Sequence, residues 1–258
     1  MDWITLMIAL FGGLVAGGIN TLAGNGSAIT LLILTELLGL SPNMANGSNR
    51  LGVFAGSASA TLLFARSGKL NFKRSQNILW PTLVGSVVGF WAATQVSNEQ
   101  FYWIFKIMLV VMLVVILVNP RRWLITTQKD FKLSPWIVWP LFLAIGFYGG
   151  FIQMGMGIFF LAGMVLAARY SIIDANGVKV WLVAFYTLFG IAIFHWQGLI
   201  DWKAGGLLAI GQAVGGFLAA RFATKHPKAN LWAYRLLVLI IVLAILRLFG
   251  LFSWLTAG

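Results

Sequence analysis

Asn46, Asn49 and Arg50 follow one another at i, i+3 and i+4 inside an apolar stretch. That spacing puts all three on one face of a helix. Asn176 and Lys179 repeat the i, i+3 part of the pattern in the second half of the chain. All of these side chains donate hydrogen bonds. Arg offers a planar two-point donor suited to an oxyanion, and Lys a point charge. A charge at the centre of a membrane segment costs at least about 2.5–3.5 kcal/mol. Arg50 and Lys179 lie only roughly 8–9 Å past the starts of their segments, so snorkelling to the interface is the competing reading. Polar neighbours on the same face favour a site.

Two glycine-flanked breaks add a second kind of donor: Gly24-Asn25-Gly26, followed by Ser27, and Gly155-Met156-Gly157. A helix that starts at Ser27 has unpartnered N–H groups in its first turn, and its dipole adds roughly half a positive charge there. An anion satisfies both. Gly24 and Gly26 remove side chains that would block its approach. Close helix packing is the alternative use of such glycines, at this break and at Gly155 and Gly157. Asn20, Gln153 and Gln212 are amides within apolar segments, suited equally to a ligand contact and to an interhelical hydrogen bond. The expected binding set is therefore Asn20, Gly24, Asn25, Gly26, Ser27, Asn46, Asn49, Arg50, Gln153, Gly155, Gly157, Asn176 and Lys179.

The acids are informative by scarcity. Asp2, Glu36, Glu99, Asp130, Asp174 and Asp201 all fall at segment ends or in loops. None sits mid-segment to relay protons. The chain has no H-E-x-x-H, no paired carboxylate, no histidine cluster and no cysteine. His195 lies beside Trp196 at a segment boundary, and His226 lies in a basic loop. No catalytic residue, metal site or cofactor is expected.

The elements that must carry these residues follow from composition. Of 258 residues, 60% are hydrophobic and 9% charged, where a soluble domain is about 25% charged. Lipid must then be the solvent for most side chains. The net charge of +12 does not imply nucleic acid, because the basic residues sit in short runs between apolar segments. The N-terminus lacks a positive n-region, so no cleaved signal peptide is expected. Apolar runs predict ten helical segments, at 3–23, 27–40, 44–65, 77–96, 100–118, 135–154, 157–168, 174–195, 204–221 and 231–255. Segments 27–40 and 157–168 extend only roughly 18–21 Å, against about 30 Å of hydrocarbon. Each follows a longer segment across a glycine break, so each pair reads as a hairpin whose tip stops inside the membrane.

Basic residues set the orientation. Twelve lie in the loops after 65, 118, 168 and 221, and one, Lys203, in the alternate loops. The basic loops are expected in the cytoplasm and both termini outside it. Lys106, Arg235 and Arg247 lie nearer segment ends, where snorkelling explains them. Trp3, Trp80, Trp103, Trp136, Trp196, Trp232 and Trp254 lie near segment ends, as in an aromatic belt.

The halves resemble each other. Ala45-Asn46-Gly47 recurs as Ala175-Asn176-Gly177, an offset of 130. Gly68 with Phe72-Lys73 matches Gly198 with Trp202-Lys203, and Val84-Gly85 matches Val214-Gly215, at the same offset. The two glycine breaks match at 131. Five segments per half is an odd number, so the second half is inverted relative to the first. The fold class expected is an all-α polytopic membrane protein built of two inverted-topology repeats, with two short membrane-embedded helical hairpins. Residues 1–258 form one transmembrane transport domain: repeat 1 at about 1–118, a cytoplasmic linker at about 119–134 and repeat 2 at about 135–258. Inverted repeats with broken helices recur among secondary transporters, with substrate near the midplane.

The chain resembles the TauE/SafE family of sulfite and organosulfur anion exporters. The residues that carry the resemblance are Ala16-Gly17 through Gly24-Asn25-Gly26-Ser27, then Ala45-Asn46-Gly47-Ser48-Asn49, Gly146 through Gly155-Met156-Gly157, and Ala175-Asn176-Gly177-Val178-Lys179. The chain departs from the family pattern at Asn25, where a third glycine is common, at Thr30-Leu31-Leu32, where a proline is common, and at Val178, where a small hydroxyl residue is common. The resemblance implies a secondary carrier in the cell membrane that exports a small oxyanion, such as sulfite or a short organosulfonate. Its partners are then that anion and membrane lipid, and a homo-oligomer is compatible with the sequence. The alternative is a membrane-embedded enzyme or lipid-phosphate handling protein, since helix tips and Arg also suit phosphate. A catalytic acid–base pair would distinguish it, and the sequence offers none.

Overall fold

A computed structural model describes residues 3–70, 72–97, 99–100, 134–226 and 228–248, with Trp103, Ile107, Val111 and Val114 as isolated positions. Most of the segment expected at 100–118, most of the linker at 119–134 and the chain beyond 248 lie outside the described residues. So do Lys106, Trp254 and the side chain of Arg247.

All elements among the described residues are helical. Helix α1 spans Trp3–Ala23 and α2 spans Ser27–Leu32. A π-helical turn, Ile33–Leu37, continues α2, with Leu38 N–H donating to the Ile33 carbonyl five residues back. Helix α3 (Pro42–Arg66) starts at Ser41, whose hydroxyl accepts from Met44 N, with Pro42 in the first turn. It ends in a Schellman motif: Gly68 takes φ +68° and Lys69 N–H donates to the Phe64 carbonyl. Helix α4 covers Phe72–Ala93. It begins five residues before the apolar run expected from 77, because the polar first turns are helical outside the hydrocarbon.

The second half repeats the order. Helix α5 is Pro135–Phe151 and α6 is Met156–Ala162. A π-helical turn, Gly163–Ala167, continues α6. Helix α7 is Ile172–Trp196, started by the Ser171 hydroxyl, which accepts from Asp174 N. Helix α8 is Trp202–Lys225, started by the Asp201 carboxylate, which accepts from Ala204 N. Helix α9 is Ala229–Leu248. The boundaries of α3 and α7, the starts of α4 and α8, and both π-helical turns lie 130 residues apart. Left-handed backbone recurs at 130 residues in Gly39 with Arg169 and Gly68 with Gly198, and at 131 in Gly24 with Gly155.

Packing crosses between the halves. Helix α8 lies against α1 and α3, and α4 lies against α5. Small residues allow the close approach that holds helices together in lipid. Gly17 of α1 lies on the Gln212 backbone of α8, and Gly150 of α5 lies on the Ser86 backbone of α4. The α3–α8 contact is also backbone to backbone, at Gly56 and Gly216. The corresponding α7–α4 contact is not: Tyr186 stands 130 residues after Gly56, and the Phe90 and Tyr186 rings fill the space with centroids 6.0 Å apart.

Outer faces are apolar. Trp3, Ile4, Met7, Ile8 and Phe11 form an exposed stripe along α1. Trp136 and Trp196 are 89% and 84% exposed near their helix ends, as an interfacial belt requires. Among the described residues, Trp3–Ala23, Ile172–Trp196 and Trp202–Lys225 are long and apolar enough to cross a membrane. Helix α3 is as long as α7, but its polar residues Asn46, Ser48, Asn49 and Arg50 turn into the protein.

Candidate functional site

The two glycine breaks meet. Gly24 takes φ +80°, a conformation that glycine adopts without strain. Its Cα packs on the backbone of Gly157, so a β-carbon on either residue would overlap the other. A β-carbon at Gly26 would overlap the Ala16 carbonyl oxygen of α1. Gly24, Asn25, Gly26 and Ser27 are all buried, as are Gln153, Gly155, Met156 and Gly157.

Around this crossing lies a set of buried polar side chains. In the first half the Thr30 hydroxyl donates to Asn49 Oδ1 at 2.6 Å and lies 3.2 Å from the Ser27 carbonyl oxygen. Asn49 Nδ2, Ser27 Oγ and both polar atoms of the Asn25 amide are buried without a hydrogen-bond partner among the described residues. A buried polar group left unsatisfied costs about 1–3 kcal/mol. Four such atoms lie around one tip.

The cations are placed differently. Arg50 is fully buried, so it does not snorkel. Its Nη1 donates to the Gly149 carbonyl at 3.0 Å and to Gln153 Oε1 at 2.5 Å. Its Nη2 donates to the Gly150 carbonyl at 2.9 Å and to Asn46 Oδ1 at 3.1 Å. Asn46 Nδ2 donates to the Phe151 carbonyl at 3.4 Å. The guanidinium carbon lies 5.0 Å from the Phe90 ring centroid and 5.5 Å from that of Phe194, within cation–π range. Of the three guanidinium nitrogens, Nε alone is without a partner among the described residues.

Lys179, also buried, behaves alike in the other half. Its Nζ donates to the carbonyls of Asn20 at 2.7 Å and Thr21 at 3.0 Å, and to Asn176 Oδ1 at 2.6 Å. Asn176 Nδ2 donates to the Leu22 carbonyl at 3.0 Å. Each cation–amide pair thus caps three consecutive carbonyls at the end of an interrupted helix in the opposite half.

The remaining amides divide. Gln153 sits at φ +62° and accepts from both Arg50 and Tyr186. Asn20 joins the site through its carbonyl, and its Cβ packs under Gly26. Gln212 lies apart, its buried Nε2 over Gly52. Three participants carried no readable signal as such. Phe90 and Phe194 flank Arg50 across long sequence distances, and Tyr186 fills the place that Gly56 occupies in the first half. Thr30 was accessible in principle, one turn from Ser27 on the same helix face.

A family described as "Sulfite exporter TauE/SafE" matches residues 9–248. The chain is 29% identical to "Probable membrane transporter protein ORF9" of Sinorhizobium sp, over 84% of this chain and 82% of that protein. It is 26% identical to "Probable membrane transporter protein YfcA" of Escherichia coli (strain K12), over 86% and 80%. It is 28% identical to a "Probable membrane transporter protein" of Haemophilus influenzae, over 87% and 88%. No solved structure matches the chain. With a match over nearly the whole chain, an all-helical fold and apolar outer faces, this protein is a helical membrane protein that belongs to the TauE/SafE family.

Proposed function

We propose that the protein is a secondary transporter that exports a small oxyanion, such as sulfite or a short organosulfonate, and that the anion binds where the two helix tips cross. The observation that carries this reading is the convergence of buried, unpartnered polar atoms on Asn25, Ser27 and Asn49 at the tip whose Gly24 packs on Gly157. Neutral donors of this kind hold an anion by hydrogen bonds. Arg50 and Lys179 stand on the same helix faces as Asn49 and Asn176 and supply positive charge close by. In a water-poor interior that charge acts at short range with little screening.

The recurrence of elements at 130 residues supports two repeats, and the basic loops at 66–76, 119–134 and 222–230 support an inverted arrangement with both termini outside the cytoplasm. The working membrane is then the cell membrane, where export lowers the cytoplasmic anion. The test is flux across proteoliposomes holding the purified chain. Sulfite and methanesulfonate are each presented beside phosphate and chloride. Saturable sulfite flux that excess chloride does not abolish is expected. Absence of flux for every oxyanion would overturn the reading.

A further inference from the structure

Arg50 through Nη1 and Nη2, and Lys179 through Nζ, donate to backbone carbonyls and to neighbouring amide oxygens, with Arg50 Nε left without a partner among the described residues, and the pattern is crossed. Lys179 and Asn176, on α7, cover the carbonyls of Asn20, Thr21 and Leu22 at the end of α1. Arg50 and Asn46, on α3, cover those of Gly149, Gly150 and Phe151 at the end of α5. Helix α1 stops immediately before Gly24, and α5 stops three residues short of Gly155. The last four carbonyls of a helix have no partner within it, and a helix C-terminus carries roughly half a negative charge. A break inside the membrane exposes those carbonyls where no water can satisfy them. A cation from the other half answers both needs.

The register of the repeat separates the two duties. Lys179 stands 130 residues after Asn49, and Val180 stands 130 after Arg50. The first half therefore carries its cation one residue further along the helix. Asn49 is thereby released from capping, and its Nδ2 is left without a partner among the described residues.

We propose that Arg50 and Lys179 are positioning residues, each pinning the broken-helix tip of the opposite half, and that substrate contact falls to the neutral donors at the tips, Asn49 first among them. This rests on the proposed function only in taking the tips as the place of substrate contact.

The test needs no substrate. The chain has no cysteine, so Ser27→Cys reports on the first tip and Met154→Cys on the second. Each is labelled in proteoliposomes with a small thiol reagent and no sulfite present. Lys179→Met is expected to raise the labelling rate of Ser27→Cys about tenfold, equivalent to about 1.4 kcal/mol of opening, and to leave Met154→Cys within about twofold. Arg50→Met is expected to do the reverse. Lys179→Arg and Arg50→Lys still donate to carbonyls and should keep the parental rates, which removal of an unrelated structural contact would not restore. If Lys179→Met fails to insert, Asn176→Ala, which uncovers the Leu22 carbonyl, takes its place. Unchanged labelling at both tips, or loosening of the tip in the variant's own half, would overturn the proposal. Sulfite flux by the parent chain is measured in parallel. A chain that moves no sulfite but keeps the crossed labelling pattern would sink the substrate assignment and leave the pinning intact.

Discussion

The Nζ of Lys179 lies 2.7 Å from the carbonyl oxygen of Asn20, across 159 residues of sequence. This bond ties α7 to the last turn of α1, and two more from the same ammonium group reach Thr21 and Asn176. Hydrogen bonds to charged groups contribute about 1.5–3 kcal/mol each, more than neutral ones. Lys179→Ala is therefore expected to destabilise the folded protein by at least about 3 kcal/mol. Arg221→Ala, at an exposed position late in α8, should change it by less than about 0.5 kcal/mol. Unfolding in detergent mixtures against denaturant separates the two. Equal stability of both variants would refute the capping role.

The tip crossing makes a second comparison possible. Gly24 and Gly39 both take positive φ, +80° and +68°. A β-carbon at Gly39 meets open space, whereas one at Gly24 runs into Gly157. Alanine at either site pays the left-handed strain, about 1–2 kcal/mol. Only Gly24→Ala also forces the tips apart. Gly39→Ala is expected to keep sulfite flux and most of its stability, and Gly24→Ala to lose both. A Gly24→Ala chain that still carried sulfite at the parental rate would show that the crossing is not part of the site.

Local spacing made much of this legible. The glycine breaks, the Asn46–Asn49–Arg50 face and its partial repeat at Asn176 and Lys179 are periodic features, and the described helices stand within about five residues of the apolar runs that predicted them. Spacing alone did not reveal where each side chain reaches. Asn49 and Arg50 share a broad helix face, yet one turns to Thr30 on α2 and the other to Gly149 and Gly150 on α5. That divergence depends on neighbours 19 residues away for Asn49 and 99 to 100 away for Arg50, beyond any local window. The π-helical turns escaped for a different reason. A five-residue bonding step at Ile33 and Gly163 leaves no mark in an apolar pattern already too short to show a period.

Asn49 supplies the sharpest test of the site itself. Its Nδ2 has no partner among the described residues, while its Oδ1 is held by Thr30. Asn49→Ala removes a donor that the fold does not use. A ligand hydrogen bond of about 1.4 kcal/mol is worth tenfold, so the KM for sulfite should rise about tenfold, while loss of the Thr30–Asn49 bond should lower stability by about 0.5–1.5 kcal/mol. Asn49→Asp, which sets a negative charge in the same place, should abolish sulfite flux. Unaltered sulfite kinetics in both variants would remove Asn49 from the site.

Orientation is testable with the same cysteine-free background. Ser67 and Gln197 close α3 and α7, lie 130 residues apart and are both exposed. In an inverted repeat they face opposite sides of the membrane. Ser67→Cys should react with an impermeant thiol reagent only from the cytoplasmic face, and Gln197→Cys only from the outer face. Reaction of both from one side would exclude inversion.

Coupling follows from which charges move. Among the described residues the acidic ones, Glu36, Glu99, Asp174 and Asp201, lie at element ends or in loops rather than mid-helix. The two buried cations are fixed on carbonyls. Among the described residues no mid-helix carboxylate is placed to carry a proton against the anion. An exported anion does not need one, because each negative charge leaving a cell that is negative inside gains about 2.3 kcal/mol per 100 mV. At about 1.4 kcal/mol per decade, that sustains a roughly fiftyfold concentration ratio at equilibrium. Sulfite flux is therefore expected to follow an imposed membrane potential with no pH gradient, and to reverse when the potential is reversed. Sulfite titrates near neutral pH, so a proton could also travel on the substrate itself. Flux that ignores the potential and answers only to a pH gradient would establish that route and defeat electrogenic movement.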